Sequence, residues 1–372
     1  MMKSKTGAEE KKNLRQGYTT GACATAAAKA ALITLITGEP QTEATIYLPV
    51  GKFATFQMEQ CEVSDEAVVA GTIKDAGDDP DATHQALILA EVSWHEDNTI
   101  VIDGGVGVGR VTKAGLPIPV GEAAINPVPR KMLREMAHEV LMLHECNRGV
   151  KIVISVPAGE EIAKKTLNGR LGIIGGISIL GTRGIVIPFS SAAYKASIVQ
   201  ALSVAKASGC EHVVITTGGR SEKYGIKEYP ELPEEAFIEM GDFVGFTLKE
   251  CKRQGMKRVS LVGMMGKFSK VAQGVMMVHS KSAPINFAFL AEVAERAGAA
   301  IELIQQVKEA NTASQVGELM AEHGVTAFFE ELCRSCNEHA WQEMKGGLVV
   351  STSLYTLKGE LLGKAVQHDS EH

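Results

Sequence analysis

Two glycine turns, a cysteine pair and a lone histidine hold the side chains in this sequence that could do chemistry. Thr216-Thr217-Gly218-Gly219-Arg220 closes the apolar run of HVVITTGGR. In open α/β sheets ligands bind outside the carboxyl ends of strands. Glycine there lets the backbone come close to an adenosine or an amino-acid tail. A plain strand-to-helix turn accounts for the same residues equally well. Asp242, further on, could hold ribose hydroxyls or simply cap a helix. Gly263-Met264-Met265-Gly266-Lys267 repeats the form after Val259–Val262. Its glycines stand too close together for a phosphate loop, so no nucleoside triphosphate is expected. Cys333-x-x-Cys336 with His339 has the spacing of metal ligands. It lies in a helical stretch with no fourth ligand nearby and reads as the buried face of a helix. His279, in MVHSKS, is by type more often a packed or surface residue than a catalyst.

These residues need elements to hold them. Arg15–Gly38 reads as a turn feeding a helix, with Thr19 and Thr20 as N-caps, an alanine-rich body and Gly38 as the stop. Its first turns carry almost no bulk. Arg15, the two hydroxyls and the free N–H groups around Gly21 suit an anion, although a small-residue helix packed tightly on a sheet is the favoured reading of this segment alone. Strands are expected at Ala44–Leu48, Lys52–Met58, Cys61–Lys74, His84–Ser93, Thr99–Asp103 and Val150–Val156, and a helix over Val128–Cys146. Residues 104–132 lack the glycine order of a dinucleotide fingerprint, and Pro117 and Pro119 bar a following helix. The acidic turn Asp75–Asp81 reads as a solvated loop, and 168–188 as loop, short turn and strand. After a helix over Ser191–Ala207, strand, glycine turn and helix recur, with Glu234–Gln254 helical in part and Leu348–Ser351 a late strand. That is the grammar of an open parallel sheet. The expected fold is an α+β, two-layer N-terminal domain over 1–188, followed by an α/β doubly wound, Rossmann-like C-terminal domain over 189–372.

The chain's 372 residues suffice for two domains, and its formal net charge of -6 argues against nucleic-acid binding. No apolar run reaches membrane-spanning length uninterrupted. MMKSKTGAEEKK has no apolar core and reads as a tail rather than a signal peptide. Seven scattered cysteines fit a reducing cytoplasm. Against the acidic background the glycine-rich loops carry bases, among them Arg110, Lys113, Arg130, Arg170, Arg183, Lys270 and Lys281, which suits a polyanionic small molecule.

Six strings resemble one family when taken together: LRQGYTTGACATAAAKAA, GGVGVGRVTKAGLPIPVGEAAINPVPR, GRLGIIGGISILGTRGIVIPFS, TTGGRSE, GDFVGFTL and GMMGKFSKVAQG. They resemble the CbiD family, which methylates C-1 of cobalt-precorrin-5B in anaerobic cobalamin biosynthesis. One departure is Arg183, which stands where threonine is common in that family. The resemblance implies S-adenosylmethionine as methyl donor, a cobalt tetrapyrrole as acceptor, cobalt-precorrin-6A as product, and no metal bound by the protein itself.

On that basis the C-terminal domain is expected to hold the donor through Thr216, Thr217, Gly218, Gly219, Arg220, Asp242, Gly263, Met264, Gly266 and Lys267. The N-terminal domain should face the macrocycle, with Arg15, Thr19, Thr20, Gly21, Arg110, Lys113 and Arg130 meeting its carboxylates. His279 is the first choice for a base. The rivals are a non-catalytic tetrapyrrole carrier and a phosphate-handling small-molecule enzyme. Other enzymes of the pathway and a second copy of the chain are left open as partners, and no nucleic acid or membrane is expected.

Overall fold

The computed structural model describes residues 14–279 and 281–368. The MMKSKTGAEEKK tail lies outside them. The chain divides after Ser191 into two compact units, and the whole is mixed α/β.

The first unit begins with α1 (Thr20–Thr37) and the hairpin β1 (Glu43–Leu48) and β2 (Lys52–Gln57). It continues through β3 (Gln60–Val63), β4 (Ala67–Ile73), β5 (Leu87–His95), β6 (Ile100–Gly104), α2 (Pro127–Leu143) and β7 (Gly149–Ser155). The main sheet runs β3-β4-β5-β7-β6, antiparallel except between β7 and β6. Alternation decides its inner face: β5 turns in Ile88, Ala90 and Val92, and β7 turns in Val150, Ile152 and Ile154. On that face lies α1, with α2 and the β1–β2 hairpin against it. Because α1 is covered on every side, it has no polar stripe. Its alanines let the sheet, hairpin and α2 close around it. By length and hydropathy α1 could pass for a membrane span, and its burial accounts for that composition. Thr19 caps it by accepting from the Ala22 amide, and Gly38 ends it in the left-handed region.

Three expectations for this unit change. The run Cys61–Lys74 is two strands, because the Ser64 amide donates to the Ala67 carbonyl and turns the chain. The two glycine-rich stretches pair with each other: Gly107–Val108 lies parallel to Gly176–Ile177, and Arg110–Val111 lies antiparallel to Ile173–Ile174. Gly107 has φ +71°, and a Cβ there would overlap the Val156 carbonyl oxygen, so backbone approaches backbone. The acidic turn, finally, is an anchor. Asp75 and Asp78 hold Arg15, Asp79 accepts from the Phe189 amide, and Asp81 takes the Lys74 ammonium at 2.7 Å.

The second unit follows α3 (Ser191–Ala207) with β8 (His212–Thr216), α4 (Gly219–Glu228), β9 (Phe237–Glu239), α5 (Val244–Arg253), β10 (Arg258–Met264) and α6 (Met265–Val271). Four helices come next, α7 (Phe287–Arg296), α8 (Ile301–Glu309), α9 (Ala313–Glu322) and α10 (Thr326–Met344), then the strands β11 (Val349–Tyr355) and β12 (Leu361–Gln367). The sheet order is β9-β8-β10-β11-β12, parallel except for β12. One face packs on α4 through Val214, Phe237, Val262 and Tyr355. The other carries the remaining helices. Glu228, the last residue of α4, ties that helix to the far strands: Ser353 Oγ and Tyr355 OH donate to its carboxylate at 2.7 and 2.8 Å, and Lys364 Nζ pairs with it at 2.7 Å. Glu234–Gln254 is helical only at 234–236 and in α5, with β9 between them.

Lys74 is 1% exposed, so its charge depends on Asp81. Burial pushes the Asp81 carboxyl up, but the Lys74 charge and hydrogen bond and two bonds from Thr83 outweigh it, leaving the group below its ordinary 3.8. Stability from such a carboxyl is complete above the ordinary value and is lost as pH falls through the lower folded value. Asp81→Ala should cost about 3 kcal/mol near neutral pH by stranding a buried ammonium, and the difference from wild type should shrink below about pH 4. Urea unfolding read at Trp94, with Trp341 replaced by Phe, measures both.

Candidate functional site

Numbered by chain order, the second sheet runs 2-1-3-4-5. A sheet of this order sends its first and third strands to helices on opposite faces, and a crevice opens outside their carboxyl ends. Here those ends are Thr216 of β8 and Met264 of β10. Thr216 sits in register between Glu239 of β9 and Val262 of β10.

The chain leaves β8 through Thr217–Arg220, the first turn of α4. Ser221 shapes it, accepting from the Thr217 amide at 3.2 Å and donating to the Gly218 carbonyl at 2.8 Å. Arg220 is exposed and makes no side-chain ion pair among the described residues. At the neighbouring strand end, α6 starts directly from β10. Gly263 leaves room for the Phe268 ring, Met264 is half-buried, and Gly266 is exposed with open space where a side chain would be. Lys267 Nζ lies 2.9 Å from Asp242 Oδ1. The angle makes this an ion pair without a hydrogen bond, so that buried oxygen keeps unused acceptor capacity. The segment after α6 returns to the same place: the Val278 amide donates to the Asp242 carbonyl, the Gly245 amide donates to the Met276 carbonyl, and Lys270 Nζ donates to the His279 carbonyl at 3.1 Å. Asp242, Lys267, Lys270 and His279 are therefore neighbours. His279 is exposed, and its Nδ1 accepts from the Lys281 amide at 3.1 Å.

Thr216 is the distinctive residue. It is fully buried, and its Oγ1 has no hydrogen-bond partner among the described residues. A buried hydroxyl without a partner is costly. Thr216 Oγ1 is such an oxygen, at the carboxyl end of β8.

Three nearby residues escaped sequence reasoning. Glu239 ends β9 beside Thr216, and Tyr194 OH donates to it at 3.4 Å. Burial, then the charge of Glu239, pushes the Tyr194 hydroxyl well up, so it stays a neutral donor. The Phe243 ring lies 5.5 Å from that of Tyr194. Gly241 has φ +56°, and a Cβ there would come within 2.7 Å of Tyr194 OH. The available signal was an acid closing the apolar triplet FIE two residues before that glycine.

The other expected residues lie in the first unit and are largely engaged. Thr19 and Thr20 are buried. The Thr19 amide donates to the Gly184 carbonyl, the Gly21 amide donates to the Leu180 carbonyl, and Thr20 Oγ1 accepts from the Leu180 amide. Residues 178–184 thus occupy donors that an anion would need. Arg15 is paired with Asp75, and the Arg15 hydrogen bond holds the Asp75 carboxyl down to about 2. Arg110 Nη2 reaches both oxygens of Asp103 at 3.0 Å. Lys113 Nζ donates to the Arg170 carbonyl at 3.5 Å. Arg130 pairs with Glu122 at 3.0 Å and donates to the carbonyls of Ile125 and Ala123. In α10, Cys333 and Cys336 are buried and donate to the Gly363 and Phe268 carbonyls.

Comparison with known proteins adds a further finding. The CbiD family model matches residues 7–188, and that of the CbiD C-terminal domain matches 277–366. A protein of Priestia megaterium named cobalt-precorrin-5B C(1)-methyltransferase is 72% identical over 97% of this chain and 98% of its own length. One of Leptospira borgpetersenii with the same name is 44% identical over 95% of each chain. The crystal structure of the cobalamin biosynthesis protein cbiD from Archaeoglobus fulgidus aligns over 84% of this chain and 85% of its own, with 27% identity and a TM-score of 0.39.

The orphaned hydroxyl makes a direct prediction. Thr216→Val removes an unpaired polar atom while keeping the shape, so the second unit should keep its stability or gain up to about 1 kcal/mol. Urea unfolding read at Trp341 tests it; a loss of that size would mean the hydroxyl is satisfied.

Proposed function

The chain belongs to the CbiD family, and from that membership we infer that it transfers a methyl group from S-adenosylmethionine to C-1 of cobalt-precorrin-5B, giving cobalt-precorrin-6A, in cobalamin biosynthesis. The likeness to proteins of that name runs through nearly the whole chain, so both units are part of the enzyme. We assign the second unit to the doubly wound, Rossmann-like class on its strand order, and give it the donor. The first unit faces the macrocycle.

The observation that carries the donor site is the unsatisfied Thr216 Oγ1 at the carboxyl edge of the sheet. It suits a ligand rich in hydroxyl and amine donors, as an adenosyl amino acid is. When bound, S-adenosylmethionine supplies a methyl group on a sulfonium sulfur. The protein's part is to hold and align. Glycines 218 and 219 let the α4 turn approach the ligand backbone-first. Asp242 and Glu239 offer carboxylates for ribose hydroxyls. Tyr194 and Phe243 form an apolar wall beside them. Most of the rate should come from alignment and the exclusion of water rather than from a strong catalytic group. The seven cysteines are all free thiols, and we place the enzyme in the cytoplasm.

His279 remains the proposed base, with a condition. A neutral ring that accepts at Nδ1 carries its proton on Nε2, so the Lys281 amide must release Nδ1 before the ring can take a proton. If His279→Asn retains its rate across pH, the assignment is wrong.

The donor site is tested by calorimetry with S-adenosylhomocysteine. Thr216→Val and Asp242→Asn should each weaken binding about tenfold or more, with Thr216→Val losing no stability. The reaction is tested by incubating enzyme, isotopically labelled S-adenosylmethionine and cobalt-precorrin-5B; a ring of unchanged mass would overturn the reading.

A further inference from the structure

The bases expected to meet the macrocycle's carboxylates are mostly spent on the protein itself, which raises the question of where free positive charge does lie in the first unit. Some of it lies on α2, on Lys131 and Arg134. With His138, a hydrogen-bond donor, they follow the i, i+3, i+7 spacing that places side chains on one helix face, and all three are exposed. They border a cleft of about 450 Å³ whose opposite wall is the segment Pro117-Ile118-Pro119. Arg130, on the same helix, staples that wall to α2 by pairing with Glu122 and donating to the Ile125 carbonyl, and so cancels the acid inside the cleft. Glu135 pairs only loosely with Lys131, at 3.6 Å between two exposed chains. Among the described residues Arg134 and His138 make no ion pair. The cleft is therefore apolar on one side and carries unmatched positive charge on the other.

We propose that this cleft is the docking site for the carboxylate-bearing edge of the corrinoid acceptor, with the ring face against Pro117–Pro119 and the acetate and propionate groups on Arg134, Lys131 and His138. The proposal rests on the methyltransferase reading for the class of its ligand. Complementarity commits it to that occupant. A flat apolar ring fringed with carboxylates needs one apolar wall and cations along one margin, and a guanidinium takes a carboxylate through two parallel bonds. A volume of about 450 Å³ holds one edge of such a ring and leaves the remainder over the open side. Proline fits the wall for a second reason, since it presents a rigid apolar surface with no amide donor to compete for carboxylates.

The test is a titration of the full chain followed by calorimetry and by the visible spectrum of the corrin. The probes are cobyrinic acid, whose rim groups are free carboxylates, and hydroxocobalamin, whose rim groups are amides. Wild type should prefer cobyrinic acid, and added salt should weaken that preference. The double variant Lys131→Glu, Arg134→Glu should lose about tenfold or more in affinity for cobyrinic acid. Its affinity for S-adenosylhomocysteine should be unchanged, and its urea unfolding read at Trp94, with Trp341 replaced by Phe, should match that of the parent, which shows that the first unit folds. The milder Arg134→Gln should fall between. If the double variant binds cobyrinic acid within about twofold of wild type, or if wild type ignores cobyrinic acid while binding S-adenosylhomocysteine, the cleft is not the acceptor site and the methyltransferase reading stands. If wild type also binds no S-adenosylhomocysteine and transfers no labelled methyl group, both fall together.

Discussion

A buried polar atom without a partner costs more than a typical hydrogen bond gains, and that asymmetry organises both units. Lys74 is accommodated inside the first unit because Asp81 meets it. In the second unit, His212, Ser260 and Ser351 form a chain of side-chain bonds across the sheet, with 2.8 Å between His212 Nε2 and Ser260 Oγ and 2.6 Å between the two hydroxyls. Burial pushes His212 down to about 4, so near neutral pH it joins this chain as an uncharged ring. Against this matched interior, Thr216 Oγ1 stands out because it lies at the carboxyl edge of the second sheet. Asn337 Nδ2, in the helix-covered core, is another such atom, and nothing in the structure explains it.

How much of this could be read from sequence depends on whether the controlling contact is local. The cap of α1 could, because Thr19 bonds an amide three residues on. The strand-to-glycine grammar of the second unit could, because each strand is a short apolar run with its own turn. The partner of Arg15 could not: Asp75 is 60 residues away, and an acidic loop looks the same in sequence whether it is solvated or clamped. Glu239 was hidden because β9 is only three residues long and follows directly on a helical turn. Nor does a glycine reveal what comes near it. Gly107 and Gly176 are small because one main chain lies on another, whereas Gly266 faces open space.

The same limit applies to charge. A count of bases in loops points to a polyanion, yet Arg15, Arg110 and Arg130 each meet an acid distant or moderately distant in sequence. Pairing redistributes the effective charge: Arg15, Arg110 and Arg130 are spent on acids, while Arg183 and Arg220 in glycine loops and Arg134 on a helix stay exposed.

The three bonds to Glu228 have a consequence for synthesis. The Thr216–Arg220 turn leads into the first residues of α4, while that helix's far end is held by side chains 125 and 127 residues further on, and by Lys364. A nascent chain that has already made Thr216–Arg220 has still to emerge through residue 364 before the helix carrying them is fixed. Contacts so remote in sequence form late, so α4 is fixed almost at the last step of translation, and a prematurely terminated chain would carry the turn without the clamp that holds its helix.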